Sequence, residues 1–170
     1  SEIFPRYEQA LRAQRSVDFD DLITLPVAML SKDEALRRRV QRRFRYLLVD
    51  EYQDTNVAQL DLLKHLAGDR RNVCAVGDDD QAIYGWRGAE VRNILRFQRH
   101  FPGAKEIRLE QNYRSTGRIL DCANAVIARN AERKEKRLFT AAGPGDPVRV
   151  VALAQEEDEA RFVAEELARL

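Results

Sequence analysis

Cysteine is scarce in this 170-residue sequence: Cys74 and Cys122 are the two present, they form no CxxC pair, and no histidine stands near either at ligand spacing. That excludes a disulfide framework and a zinc site, and with both thiols in apolar stretches it predicts an intracellular, cytoplasmic protein. No apolar run approaches the roughly 18 residues that a membrane span needs. The N-terminus, Ser1-Glu2-Ile3-Phe4, lacks the basic-then-apolar pattern of an export signal. Ser1 stands where an initiator Met would, which predicts a piece excised from a longer chain. Nor is there an excess of one charge. Lys and Arg total 29 against 28 Asp and Glu, a net charge of +1, so no globally basic tail exists and any nucleic-acid contact must be local. Only five of the basic residues are lysines, an arginine bias from which we read no function. Internal repeats and low-complexity tracts are absent too.

What is there is enough to fold. With 44% apolar and 34% charged residues, the chain can bury a core, which excludes disorder and fibres. Helical periodicity predicts helices over about 2–15, 19–29 and 32–43, the second kinked by Pro26 and the third opened by a capping box, Ser31-x-x-Glu34. A short apolar run, Tyr46-Leu47-Leu48-Val49, reads as a strand, followed by a helix over 56–67 with Leu60, Leu63 and Ala67 on one face. The unit repeats: a strand over 72–76 ending at Gly77, a helix over 91–101, a third strand over 106–109. Further on come a helix over 116–131, a loop at Gly143-Pro144-Gly145-Asp146-Pro147, a strand over 148–153, and a terminal helix with Val163, Leu167 and Leu170 on one face. Strands alternating with helices predict an α/β fold, a parallel sheet covered on both faces.

Three segments carry chemistry. In Leu47-Leu48-Val49-Asp50-Glu51-Tyr52-Gln53-Asp54, two carboxylates follow an apolar strand. At the carboxyl end of a parallel strand such a pair suits a magnesium nucleotide, one acid holding the metal and its neighbour polarising a water, and the spacing fits a Walker-B arrangement. A plain strand meeting solvent, with Asp54 or Thr55 capping the next helix, gives the same letters. Gly77 to Ala89 places three consecutive aspartates beyond a strand, which repel one another unless a cation or donors stand close, and then Tyr84, Trp86 and Arg87. Aromatic faces beside a guanidinium can stack unpaired bases and hold phosphate; the alternative is that both rings are core residues. In Leu109 to Thr116, Tyr113 can stack on a planar base while Arg114 pairs with phosphate oxygens near a helix N-terminus, or Ser115 simply caps that helix beside a solvated arginine. The stretch Arg37, Arg38, Arg39, Arg42, Arg43 reads as a solvated helix face rather than a DNA contact.

Together the three segments resemble the UvrD/Rep/PcrA family of superfamily I DNA helicases. Asp50-Glu51-Tyr52-Gln53-Asp54-Thr55-Asn56 is similar to its DExQD motif II, Gly77 to Ala89 to its GDxxQxIYxxRGA motif III, and Asn112-Tyr113-Arg114-Ser115 to its motif IV. Val17-Asp18-Phe19-Asp20-Asp21-Leu22 resembles the segment that re-enters the first motor domain from its inserted subdomain 1B. The resemblance implies a partial RecA-like motor fold: residues 1–109 as the second part of domain 1A, residues 110–170 as the beginning of domain 2A. It implies ATP and Mg²⁺ as cofactors, single-stranded and duplex DNA as partners, no membrane, and 3′ to 5′ movement driven by ATP hydrolysis in repair or replication. By residue, Asp50 would hold Mg²⁺, with Glu51 orienting or deprotonating the attacking water and a second contact to the metal from Glu51 through water. Gln81 would sense the γ-phosphate, Arg114 would neutralise its developing charge, and Tyr113 would stack on adenine. Tyr84 and Trp86 would stack on bases, with Arg87 steadying the loop or touching the strand. One departure counts: no G-x-x-x-x-G-K-[ST] occurs, so the phosphate loop is missing and these 170 residues alone are expected to be inactive. Two other readings remain open, the motor part of a helicase–nuclease and a docking module for DNA or a protein that has lost catalysis.

Overall fold

Apolar residues at helical spacing build the first half of the chain. In the computed structural model, which describes residues 2–169, helices α1 (Ile3–Ala13), α2 (Asp21–Lys32) and α3 (Glu34–Arg43) precede strand β1 (Leu47–Val49). Then follow α4 (Val57–Ala67), β2 (Val73–Ala75), and two short helices, α5 (Arg92–Leu95) and α6 (Phe97–His100). Helix α7 (Gly117–Ile127) and helix α8 (Glu156–Leu167) complete the order. The chain divides into two compact units: the residues up to Ile107 with Glu132–Lys134, and Arg108–Ala131 with the residues from Glu135 on.

In the first unit β1 and β2 pair in parallel, Leu47 opposite Val73, Leu48 opposite Cys74 and Val49 opposite Ala75. Beneath them lies a core of Tyr52, Leu60, Leu63, Ala67 and Phe101, against which Leu47, Val49, Val73, Ala75, Ile94 and Phe97 pack. Period-2 alternation then turns Leu48 and Cys74 to the opposite face, where Leu48 is 82% exposed. The mixed α/β architecture and the parallel pairing agree with the sequence expectation; the coverage of both sheet faces does not, because no described element lies over Leu48 and Cys74. Cys122 is exposed as well, so neither thiol occupies the apolar surroundings expected from its neighbours in sequence. Tyr52 meets Phe97 edge-on at 5.2 Å between ring centroids. Burial of its hydroxyl, which has no hydrogen-bond partner, pushes the Tyr52 pKa up to about 12.

Local chemistry relocates several boundaries. Helix α2 runs through Pro26 without ending there. It continues to Lys32, so the Ser31 hydroxyl donates back to the Ala28 carbonyl, and Asp33 rather than Ser31 caps α3 by accepting from the Leu36 N–H at 2.9 Å. The Arg37 guanidinium closes the end of α2 by donating to the Leu30 carbonyl at 2.7 Å, while Arg38, Arg39, Arg42 and Arg43 form the solvated face that was expected. Asn56, not Asp54 or Thr55, caps α4 in a full capping box with Gln59. Upstream, the Asp18 carboxylate accepts from the Asp21 N–H and the Tyr7 hydroxyl, both at 2.8 Å, which tethers α1 to α2 and holds Asp18 below the usual carboxylate range. The single helix expected over 91–101 breaks at Arg96, whose ψ of 21° leaves the helical region.

The second unit is built on α7. Asn124 ties it to the following segment, donating to the Leu138 carbonyl and accepting from the Leu138 N–H. Leu120 is the buried residue of this unit among those described. The strands expected over 106–109 and 148–153 do not form: Leu109 is 80% exposed and Val150 is 94% exposed. A strand exists only where a neighbour completes its ladder, and here the pairing reduces to one isolated parallel bridge between Gln111 and Phe139. In α8, Val163 and Leu167 are exposed, and Leu170 lies outside the described residues.

Candidate functional site

The β1–β2 ladder sets two loops side by side. Past the last paired residues, Val76 N–H donates to the Val49 carbonyl at 2.8 Å and Tyr52 N–H to the Val76 carbonyl at 3.0 Å, so Asp50-Glu51 and Gly77-Asp78 leave the sheet together. Both acids are exposed at the carboxyl end of β1, where a parallel sheet gathers ligands. Asp50 Oδ1 accepts from the Glu51 N–H at 2.9 Å. Glu51 itself holds φ at +48°, a left-handed conformation that a residue with a Cβ adopts at a cost of about 1 kcal/mol or more.

That strained backbone is braced by a buried amide. Gln53, 1% exposed, donates from Nε2 to Glu51 Oε2 at 2.7 Å and accepts at Oε1 from the Asp78 N–H at 3.0 Å. Asp78 Oδ2 in turn accepts from Gln81 Nε2 at 2.7 Å. Glu51, Gln53, Asp78 and Gln81 thus form one hydrogen-bonded series across the two loops. Gly77 is required for the close approach, since a Cβ there would stand 2.6 Å from Gln53 Oε1.

Donors answer the repulsion expected among Asp78, Asp79 and Asp80. Asp80 accepts two hydrogen bonds from the Arg133 guanidinium at 2.9 and 2.7 Å, and Asp79 accepts from the Lys134 N–H at 2.8 Å. Beyond Gln81, tight turns carry Tyr84, Trp86 and Arg87. Trp86 is 80% exposed and Tyr84 is exposed too, which removes the reading of these rings as core residues. Their centroids lie 6.4 Å apart, and the Arg87 guanidinium carbon lies 5.5 Å from each, in cation–π range of both. Gly88, at φ +86°, closes the turn with a hydrogen bond to the Gly85 carbonyl.

In the second unit, Asn112 organises the other candidates. Its Oδ1 accepts from the N–H groups of Arg114 at 2.9 Å and Ser115 at 2.8 Å, an Asx turn that presents Tyr113, 84% exposed, and Arg114 to solvent. Thr116 takes the N-cap position of α7, although its side chain makes no capping bond.

Residues 1–102 match the family model described as UvrD/REP helicase N-terminal domain, and residues 107–170 match that of the UvrD-like helicase C-terminal domain. The chain belongs to the UvrD/Rep helicase family. It is 51% identical over 161 residues to the ATP-dependent DNA helicase Rep of Escherichia coli (strain K12), covering 95% of this chain and 24% of that protein. It is also 51% identical over 172 residues to ATP-dependent DNA helicase UvrD1 of Mycobacterium tuberculosis (strain CDC 1551 / Oshkosh), covering 97% and 22%. To ATP-dependent DNA helicase PcrA of Leuconostoc citreum it is 46% identical over 170 residues, covering 100% and 23%. The chain therefore spans about a quarter of the length of these helicases.

Against that family, the metal-ligand chemistry is lean. Among the described residues no group of three or more His, Cys, Asp or Glu side chains could hold a metal by itself. Mg²⁺ keeps several waters and is bound through one or two carboxylates plus phosphate oxygens, so Asp50 fits a magnesium nucleotide and not a free-standing ion site. Two residues with structural parts to play were quoted in the motifs without a role. Gln53 and Asn112 could have been singled out by their chemistry: an amide flanked by acids, and an Asn two residues ahead of the N–H it binds. No helix among the described residues is long and apolar enough to cross a membrane.

Proposed function

We propose that the chain is the central part of an ATP-dependent DNA helicase, a cytoplasmic enzyme that moves 3′ to 5′ on single strands and opens duplex DNA in repair or replication. In this reading residues 1–109 complete a first RecA-like motor domain, with the return from its inserted subdomain near the N-terminus, and residues 110–170 begin a second. Asp50 is the ligand for Mg²⁺, which supplies charge neutralisation at the nucleotide phosphates. Glu51 takes the proton of the attacking water, or orients that water. Gln81 senses the γ-phosphate, Arg114 offsets charge developing on it, and Tyr113 stacks on adenine. Tyr84 and Trp86 stack on unpaired bases while Arg87 steadies their loop.

The observation that carries this reading is the hydrogen-bonded series from Glu51 through Gln53 and Asp78 to Gln81, three residues before Tyr84 and five before Trp86, both exposed. Acid and base-stacking residues in one short run suit an enzyme whose hydrolysis answers to a nucleic-acid strand. Because the chain has no G-x-x-x-x-G-K-[ST] loop to wrap the phosphates, it should show no ATP turnover by itself. A direct test uses the chain's single tryptophan, Trp86. Oligo(dT) should quench its emission with a midpoint that weakens steeply as salt rises. A phosphate-release assay on the same sample should stay at background. Unchanged Trp86 emission on adding oligo(dT), or robust DNA-stimulated turnover from these 170 residues, would overturn the assignment of the stacking loop or of the missing phosphate loop respectively.

A further inference from the structure

We infer that Gln53 is a positioning residue that holds the Glu51 carboxylate in register with the base-stacking loop, so that strand binding at Tyr84 and Trp86 is felt at the acid through Gln53. The inference rests on the helicase reading above and assigns a part to a residue that the reading leaves unused.

The amide has one workable orientation. Its Nε2 faces two carboxylates, Glu51 Oε2 at 2.7 Å and, more distantly, Asp54 Oδ2 at 3.5 Å, while its Oε1 faces the Asp78 N–H at 3.0 Å. Turned over, it would set an oxygen against two acids and an NH₂ against an N–H, so both faces repel. At 1% exposure no solvent replaces either bond. The bare backbone of Gly77 leaves room for the amide, with Tyr52 N and Gln53 Oε1 on its open side.

The loop on the far side is too short and too bonded to absorb movement. Gln81 N–H donates to the Asp78 carbonyl at 2.9 Å, Ile83 N–H to the Gln81 carbonyl at 2.9 Å, and Arg87 N–H to the Tyr84 carbonyl at 2.9 Å. A shift of Trp86 to meet a base is passed back along these turns to the Asp78 N–H. From there the next partner is the Gln53 amide, and beyond it Glu51, whose left-handed backbone relaxes readily once its side chain is released. Gln53 therefore carries a coupling free energy between two sites, and coupling of this kind is reciprocal: whatever the strand does for the nucleotide site, nucleotide does equally for strand affinity.

The test uses the full-length protein and two variants. Gln53→Glu keeps the shape and the acceptor for Asp78 but opposes Glu51 with a third carboxylate; Gln53→Met keeps the length and removes both bonds. In each, kcat with saturating oligo(dT) should fall roughly tenfold to a hundredfold, the scale of a misplaced catalytic group, with KM for ATP within about twofold. The factor by which a magnesium-bound ATP analogue changes oligo(dT) affinity, read from the fluorescence anisotropy of a labelled oligo(dT), should shrink towards one. A merely structural residue would not move that factor, so a lower kcat with the factor unchanged overturns the inference. Wild-type kcat and coupling in both variants overturn it too. Should neither variant fold, hydrogen exchange at the Asp78 amide of the wild-type protein decides: its rate should change on adding oligo(dT), and an unchanged rate is a refutation. Glu51→Gln is measured alongside. If it keeps full turnover, the catalytic assignment itself fails; if it loses turnover while the Gln53 variants behave as wild type, only the present inference fails.

Discussion

Asp50 and Glu51 stand on a core of Tyr52, Leu60, Leu63, Ala67 and Phe101, and a buried amide braces the turn they occupy. Tyr113 and Arg114 ride instead on an Asx turn in a unit where Leu120 is the buried residue among those described. The first unit spends tertiary structure on holding an acid at an unfavourable backbone angle. The second presents its candidates by a local device of three residues that needs little packing beneath it. Groups that must hold a fixed geometry are tied through non-local bonds, and groups that must reach a ligand are left on a turn.

The contrast is sharpest at Glu51. In the full-length helicase proposed above, Glu51→Gln should preserve nucleotide and DNA binding and lower DNA-stimulated turnover by about 10² to 10⁴-fold, the usual contribution of a general base. Steady-state ATPase with parallel binding titrations checks this; undiminished turnover removes Glu51 from the chemistry. Next in size is the core. Leu63→Ala should cost the first unit about 2–5 kcal/mol, while Leu120→Ala should fall at or below about 2 kcal/mol because its surroundings are open enough to collapse. Denaturant melts of both variants measure the difference. Leu120, at 5% exposure, is as buried as Leu63 at 8% but has no other buried described residue of its unit around it, so equal losses would mean that a lone buried leucine is packed as tightly as one in a cluster. Trp86→Ala should weaken oligo(dT) binding by about 1–3 kcal/mol, one base–aromatic stack, and leave thermal stability unchanged. A lowered melting temperature with intact affinity would return Trp86 to a packing role.

The smallest effect concerns pH in the second unit. The Arg149 guanidinium, bonded to Glu166 at 2.5 Å, holds the Glu166 carboxyl below the usual carboxylate range, helped by Arg169. A carboxyl whose folded pKa is depressed stabilises the fold fully above its unfolded value, and that contribution disappears as pH falls through the folded one. Melting temperatures of the wild type and Arg149→Gln should therefore differ slightly at pH 7 and converge in acid. A constant gap across that range would show that the pair makes no titrating contribution.

Helices were the legible part of the fold. Leu60, Leu63 and Ala67 recur at the helical period, and they are buried where that period puts them. The strands over 106–109 and 148–153 were misread because a short apolar run looks the same with or without a neighbour to pair with. Caps were half legible. Ser31 and Asp33 both suit an N-cap, and the choice fell to how far α2 extends, a tertiary matter. At the site, the residue types of Asp50, Glu51, Tyr84, Trp86 and Arg87 could be read with their chemistry. The bond from Gln53 to Asp78 could not, because it joins residues 25 apart through the pairing of β1 with β2.

The uncovered face of that sheet has a practical side. Cys74 sits on it opposite Leu48, with its thiol exposed, while Cys122 supplies a second exposed thiol in the other unit. A maleimide offered to the chain should label both, and the ratio of adducts at the two positions, read by mass spectrometry, becomes a gauge of how far that face is shielded. Anything that settles over Leu48 slows alkylation at Cys74 and leaves Cys122 as an internal clock, so coverage of the sheet can be followed in minutes without any assay of activity.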